Sequence, residues 1–217
     1  MNDALRSLYD AVLVGERAAS QEGTRTALAQ GLAAGEILDG ALIPAMGEVG
    51  RLFEAGEYFV PEMLISAHAM KAALEIIRPL IVDSGLEPVG RVVIGTVRGD
   101  MHDIGKNLVA MMLEGAGFEI KNLGVDVSPE RFVAGVRDGA NLVCLSALLT
   151  TTMHNMKVTI QAIESAGVRD QARIIVGGAP VTAEFARHIG ADGYAPDASQ
   201  AARLAKVLVQ DAIAKAS

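Results

Sequence analysis

The chain has 217 residues, of which 51% are hydrophobic and 4% aromatic, with no tryptophan and one cysteine. This length allows one large domain or two modest ones with aliphatic cores, and a single cysteine excludes an internal disulfide or a thiolate metal cage. The net charge of −7, without a run of Lys and Arg, argues against nucleic-acid binding. No apolar stretch is long enough for an export signal or a membrane span, so we expect a cytoplasmic protein without a membrane partner.

The N-terminal part, to about residue 84, repeats apolar residues three or four positions apart, which is typical of amphipathic helices. This periodicity predicts four helices, at residues 3–18, 24–33, 37–55 and 61–83. Such helices can bury their apolar stripes against one another, so we predict a four-helix cap bundle over residues 1–84. Residues 85–90 contain two glycines and a proline and are interpreted as a linker.

After residue 90, short β-branched runs alternate with helical segments. The predicted strands are 91–97, 119–123, 142–145, 173–176 and 192–194, and the predicted helices are 104–114, 129–138, 153–166, 183–189 and 198–215. Parallel strands require crossover connections, which this alternation supplies. Residues 91–217 are therefore predicted to form a Rossmann-like α/β domain with a doubly wound five-stranded parallel sheet of flavodoxin-like order 2-1-3-4-5.

In that order the loops after strands 1, 3 and 4 meet at the carboxyl edge of the sheet, where open parallel sheets bind ligands. Asp100 and His102 in the first loop suit a metal ligand and the carboxylate that orients it. Hydroxyl groups and glycines in the other two loops could bond a cofactor's polar atoms and let a bulky ligand lie against the backbone. These residues are Ser146, Thr150, Thr152, Gly177 and Gly178.

Three elements in this part of the chain resemble the cobalamin-binding signature of methionine synthase and corrinoid methyltransferase proteins. They are Asp100-x-His102-x-x-Gly105, then Ser146-x-Leu148 after 40 residues, then Gly177-Gly178 after 28 more. Each element follows a predicted strand. Residues 50–61 are similar to the helical cap that precedes the corrinoid domain in the same family, so the resemblance extends over nearly the whole chain.

The resemblance implies a cobalamin or related corrinoid as cofactor, in its methylcob(III)alamin and cob(I)alamin forms. His102 would be the lower ligand to cobalt, with Asp100 and Thr152 as a relay behind it and no catalytic group beyond the cofactor. The family's upper-face side chains correspond to Phe53 and Val60. The remaining cofactor-binding residues implied are Met101, Asp103, Ile104, Gly105, Ser146, Leu148, Thr150, Gly177 and Gly178.

The function implied is that of a corrinoid carrier, a non-autonomous subunit of a corrinoid-dependent methyltransferase system. It would accept a methyl group on cobalt from a substrate:corrinoid methyltransferase and present it to a second methyltransferase with a tetrahydrofolate or thiol acceptor. A reductive activase is a further implied partner. Residues 146–153 look especially like the methylamine-type corrinoid proteins.

Two other functions are alternatives for a chain of this kind. A cobalamin-based sensor could use the same two domains, but such proteins place a tryptophan over the corrin and this chain has none. A response-regulator-like domain shares the strand order, but it needs a phosphate-accepting Asp where this chain has Leu145 and Ser146.

Several single residues are given plainer interpretations. Cys144 is predicted to be a small buried hydrophobe within strand 3. Asp103 and Lys106 either orient the motif loop or are solvated. No chemistry is assigned to His68, His154 and His188.

Overall fold

A computed structural model describes residues 2–216 of the chain, and side chains up to residue 212. The chain forms two compact units. The first is helical and ends at Glu87, and the short segment Gly115–Gly117 is grouped with it. The second begins at Pro88 and contains the sheet. No helix within residues 2–216 has the length and apolar character needed to cross a membrane.

From residue 2 onward, the helical unit contains five α-helices, and a π-helical turn at Leu38–Leu42 joins the third to the fourth. Its core is formed by fully buried aliphatic side chains such as Leu8, Ile37 and Met63. The helices are α1 (Asp3–Leu13), α2 (Arg17–Ala29), α3 (Ala34–Ile37), α4 (Ile43–Glu54) and α5 (Val60–Asp83).

Three features of this unit differ from the prediction. The first helix ends at Leu13 because Gly15 adopts φ of +80°, which turns the chain away from the helix axis. The second helix continues through Gly23, where an added Cβ would lie 3.3 Å from Leu8 Cβ, so this glycine permits close packing of α1 and α2. The predicted third helix is interrupted by the π-helical turn just before Pro44, whose missing N–H cannot support an α-helical ladder.

The second unit has a five-stranded, all-parallel sheet of order β2-β1-β3-β4-β5, which confirms the predicted fold class. The strands are β1 (Arg91–Thr96), β2 (Glu119–Asn122), β3 (Leu142–Ser146), β4 (Arg173–Gly177) and β5 (Gly193–Tyr194). The helices are α6 (Ile104–Gly115), α7 (Pro129–Arg137), α8 (His154–Ser165), α9 (Ala183–His188) and α10 (Ala198–Ala216).

The strand register brings the three motif loops to one edge. Thr96, Ser146 and Gly177 are the last residues of β1, β3 and β4, and they lie side by side across the sheet. The loops that follow these three residues therefore begin at the same edge of the sheet. The buried strands β1, β3 and β4 form a rigid base for the loops.

Cys144 lies within β3 and is buried. Burial raises the pKa of its thiol to about 12, because the thiolate would lose its hydration there. The thiol is therefore neutral at physiological pH, as expected of a packing residue.

Candidate functional site

The centre of the site is the pair formed by Asp100 and His102, in the loop between β1 and α6. Asp100 is completely buried, whereas 49% of the His102 side chain is exposed. His102 Nδ1 lies 2.8 Å from Asp100 Oδ1 and donates to it, because an ionised carboxylate can only accept. That tautomer leaves the lone pair on Nε2, which has no hydrogen-bond partner within residues 2–216 and is free to bind a metal.

The carboxylate of Asp100 is held at both oxygens. Oδ1 also accepts from the His102 backbone N–H at 3.1 Å, while Oδ2 accepts from Leu148 N at 2.8 Å and Leu149 N at 3.2 Å. Thr152 Oγ1 donates to Oδ2 over 2.6 Å. Burial alone would raise the pKa of Asp100, but the bonds donated by Thr152, His102 and Leu148 outweigh it and hold that pKa well below its ordinary value.

Thr152→Val tests this carboxylate contact, since valine keeps the shape of the side chain but has no hydroxyl proton to donate. We expect a loss of about 1–3 kcal/mol in the free energy of unfolding at pH 7, and recovery in Thr152→Ser. A group with a depressed folded pKa contributes stability above its unfolded pKa. The difference between wild type and variant should therefore shrink as the pH falls below about 4. Urea unfolding of the apo-protein from pH 7 to pH 3 measures both effects, and a pH-independent difference would contradict the assignment.

Three residues that the sequence interpretation missed hold the backbone of this loop. Thr96 Oγ1, fully buried at the end of β1, donates to the His102 carbonyl at 2.8 Å. Asn155 Nδ2 donates to the Arg98 carbonyl at 2.8 Å. Asp126 Oδ1 accepts from Gly99 N at 2.7 Å, and Asp126 N donates to the Asp100 carbonyl at 2.9 Å.

Asp126 is the only non-glycine residue with positive φ (+50°) among residues 2–216. Asp and Asn tolerate this region better than other residues, and a turn signal after the second strand was therefore present in the sequence. The sequence predicts a site formed by the loops after strands 1, 3 and 4. The loop after β2 also contributes to the site, by fixing the backbone on which His102 stands.

Apolar side chains form an exposed rim around the pair. Met101 is 69% exposed, Ile104 78%, Leu148 43% and Leu149 41%. An apolar cluster of this kind on a polar loop edge is typical of a surface that a ligand covers. It suits a broad, largely apolar ligand with its centre above His102.

The loop after β4 approaches the loop after β3 closely. Gly178 has φ of +131°, and a Cβ there would lie 1.9 Å from the Ala147 carbonyl oxygen. At Gly177 the added Cβ would lie 3.0 Å from the Ala195 carbonyl oxygen. The sequence predicts that these glycines make room for a ligand, whereas Gly178 is already required by the packing of the two loops.

The other predicted residues are placed as follows. Ser146 is half-buried and its carbonyl accepts from Val97 N, while Thr150 is exposed. Asp103 is exposed and accepts from Asn107 Nδ2 at 3.0 Å. At Gly105 an added Cβ would meet nothing within 4 Å.

Phe53 and Val60 belong to the helical unit, where Phe53 is half-buried in the last turn of α4 and Val60 begins α5 with 40% exposure. Their position over a cofactor stays a prediction.

The protein offers a single nitrogen ligand at this site, which fits a metal whose other ligands belong to a cofactor. Within residues 2–216 no group of three or more His, Cys, Asp or Glu side chains could hold a metal ion. A metal bound at His102 Nε2 would need its remaining ligands from a cofactor, and a corrin ring supplies such ligands in a flat, largely apolar frame. The single free imidazole nitrogen and the exposed apolar rim are both consistent with that cofactor.

Comparison with known proteins agrees with this reading. Two models described as a B12 binding domain match the chain, one over residues 90–203 and one over residues 4–78. Dimethylamine corrinoid protein 1 of Methanosarcina acetivorans is 42% identical over 80% of this chain and 83% of its own length. Trimethylamine corrinoid protein 2 of Methanosarcina mazei is 42% identical over 87% of this chain and 88% of its own length.

Among solved structures, the chain is similar to one in the methanol:cobalamin methyltransferase complex of Methanosarcina barkeri. The TM-score is 0.85 and the identity 30%, over 96% of this chain and 80% of that one. The predicted cofactor, a cobalamin or related corrinoid, is confirmed by the family match. Fold, site chemistry and relatives agree, and this chain belongs to the family of B12-binding corrinoid proteins.

Proposed function

We propose that this protein is a methyl carrier, which accepts a methyl group on cobalt from a substrate-specific methyltransferase and presents it to a second methyltransferase. The observation that carries the proposal is His102, whose Nδ1 is fixed by buried Asp100 while its Nε2 is free. The corrinoid, when bound, supplies a cobalt centre that can take up and release a methyl group. The residues of this chain bind and orient it.

The proposed roles of the residues follow from their contacts. His102 is the lower ligand to cobalt. Asp100 keeps the imidazole oriented, and Thr152 keeps Asp100 in place through the 2.6 Å bond. The exposed side chains of Met101, Ile104 and Leu148 lie against the corrin, and Asp103, Gly105, Ser146, Thr150, Gly177 and Gly178 line the rest of the site.

The helical part is proposed to be a separate cap domain over residues 1–84, joined by the linker 85–90 to the corrinoid domain over 91–217. Phe53 and Val60 are its proposed contacts with the upper, methyl-bearing face. The exposure of Val60 supports this role, because an apolar side chain at the start of a helix is available to cover a ligand.

The proposed partners are two methyltransferases and a reductive activase, and the acceptor is tetrahydrofolate or a thiol. The names of the relatives support methylamines or methanol as donors, since they refer to dimethylamine, trimethylamine and methanol systems. Donor choice belongs to the methyltransferase in this proposal.

The proposal is tested with purified protein reconstituted with cobalamin. Each methyltransferase encoded near it in the source genome is added in turn, with methanol and mono-, di- and trimethylamine as donors. We expect one pairing to methylate the bound corrinoid, seen by absorbance, and a second partner to remove that methyl group. Corrinoid binding without methylation in any pairing would contradict the carrier and favour a sensor.

A further inference from the structure

Buried charge in this protein is concentrated around one residue. Among the side chains of residues 2–212, Asp100 and Lys106 are the two charged ones that are buried. They lie two residues before and four residues after His102. Asp100 has a clear role as the partner of the imidazole, but Lys106, which is 3% exposed, touches no part of that pair in the hydrogen bonds it forms.

The surroundings of Lys106 do not neutralise its charge. Its ammonium donates to the side-chain oxygens of Asn107 and Asn122, the latter at 2.9 Å, and it forms no ion pair with a carboxylate within the described residues. Asn107 Nδ2 in turn donates to Asp103 Oδ2 at 3.0 Å, so one amide separates Lys106 from the residue next to His102. Burial lowers the pKa of Lys106, although the nearby charge of Asp103 partly opposes this.

The surroundings of Lys106 disfavour its positive charge. Lys106 lies in the first turn of α6, where the helix dipole disfavours positive charge, and removing an ammonium from water is costly. If the ammonium were absent, Asn107 Oδ1 would still accept from Asn122 Nδ2 at 3.2 Å, and Asn122 Oδ1 from Gly124 N at 3.0 Å. Both amide oxygens that accept from Lys106 would therefore keep a hydrogen-bond partner.

We infer that the positive charge of Lys106 acts on the corrinoid site, where it stabilises the reduced state of the cobalt. Through Asn107, Lys106 is one amide away from Asp103, the residue next to His102. A positive charge there, opposite in sign to that of Asp100, would favour the electron-richer state of a metal bound at His102. Water screens this charge weakly because Lys106 is buried. The inference rests on the proposed corrinoid site at His102.

The test compares the Co(II)/Co(I) midpoint potential in wild type, Lys106→Met and Lys121→Met. Lys121 is the matched control, because it is an exposed lysine paired with Asp138 at 2.7 Å and its charge is screened by solvent. We expect a more negative potential in Lys106→Met only. At a fixed applied potential, the ratio of Co(I) to Co(II) in Lys106→Met should be roughly tenfold lower than in wild type. This is the scale of the effect of one charge acting through a protein interior.

A second variant places a counter-ion beside the lysine without removing it. Asn122→Asp keeps an acceptor for Gly124 N and sets a carboxylate against the ammonium, so it should shift the potential in the same direction as Lys106→Met. Urea unfolding of the apo-proteins should give a midpoint for Lys106→Met equal to or above that of wild type.

Each outcome has a distinct meaning. Wild-type protein that binds no corrinoid would overturn both the proposed function and this inference. Wild-type binding with unchanged potentials in both Lys106→Met and Asn122→Asp would overturn the inference alone. A markedly lower urea midpoint in apo Lys106→Met would show that the lysine serves the fold, and this also overturns it.

Discussion

In His102→Ala we expect the histidine-ligated spectrum of the bound corrinoid to be lost while part of the corrinoid is retained. No cluster of metal-binding side chains exists within residues 2–216, so no protein group stands ready to replace the imidazole. The apolar rim of Met101, Ile104, Leu148 and Leu149 is unaffected and should still hold the ring. Removing a group that only orients a metal ligand lowers metal affinity by about 10–100-fold. His102 is the proposed ligand itself, so we expect its removal to lower the affinity for the corrinoid by at least that factor.

The measurement is electron paramagnetic resonance of the Co(II) form, in which a nitrogen ligand splits the cobalt lines. The splitting should be absent in His102→Ala and should return when free imidazole is added to fill the space. His154→Ala is the matched control, because His154 is exposed at the start of α8 and bonds only to the Thr151 carbonyl. An unchanged spectrum in His102→Ala would refute His102 as the cobalt ligand.

Gly178→Ala is expected to have the largest effect on the apo-protein. The added Cβ would lie 1.9 Å from the Ala147 carbonyl oxygen, in a backbone conformation (φ +131°) that side chains rarely adopt. Relief requires separating the loops after β3 and β4, which would also displace the Leu148 and Leu149 amides from Asp100. We expect a loss of about 3 kcal/mol or more in the free energy of unfolding.

Gly167→Ala separates the cost of backbone strain from the cost of the contact with Ala147. Gly167 also has positive φ (+71°), but an added Cβ there meets nothing within 4 Å. It measures backbone strain alone and should cost about 1 kcal/mol. Urea unfolding of both variants checks the difference, and corrinoid titration checks the site. Equal losses in the two variants would show that the contact with Ala147 does not matter.

The sheet could be predicted because its signals are local. β-branched runs in the chain alternate with helical periodicity, and parallel strands with crossovers allow few orders. The predicted start of β1 at Arg91 and of β3 at Leu142 agree with the structure. The loops after Thr96, Ser146 and Gly177 could then be placed together by geometry alone.

Other features could not be predicted from the sequence. They depend on tertiary contacts, or on residue types such as glycine that can either end a helix or pack inside one. Gly15 ends a helix while Gly23 packs inside one, and the sequence does not distinguish them. Lysine is rarely buried, so composition gave no reason to expect Lys106 inside the protein. The bond from Asp126 to Gly99 joins two loops far apart in sequence, and only the folded sheet brings them together.

The exposed apolar rim has a consequence for handling the protein. Without its cofactor, the molecule presents Met101, Ile104, Leu148 and Leu149 directly to solvent at the end of its sheet. Such a patch attracts detergents, hydrophobic dyes and other copies of the chain. A corrinoid bound over this patch would also act as a solubilising cover, and cells that express the chain faster than they supply corrinoid should then accumulate it as aggregate.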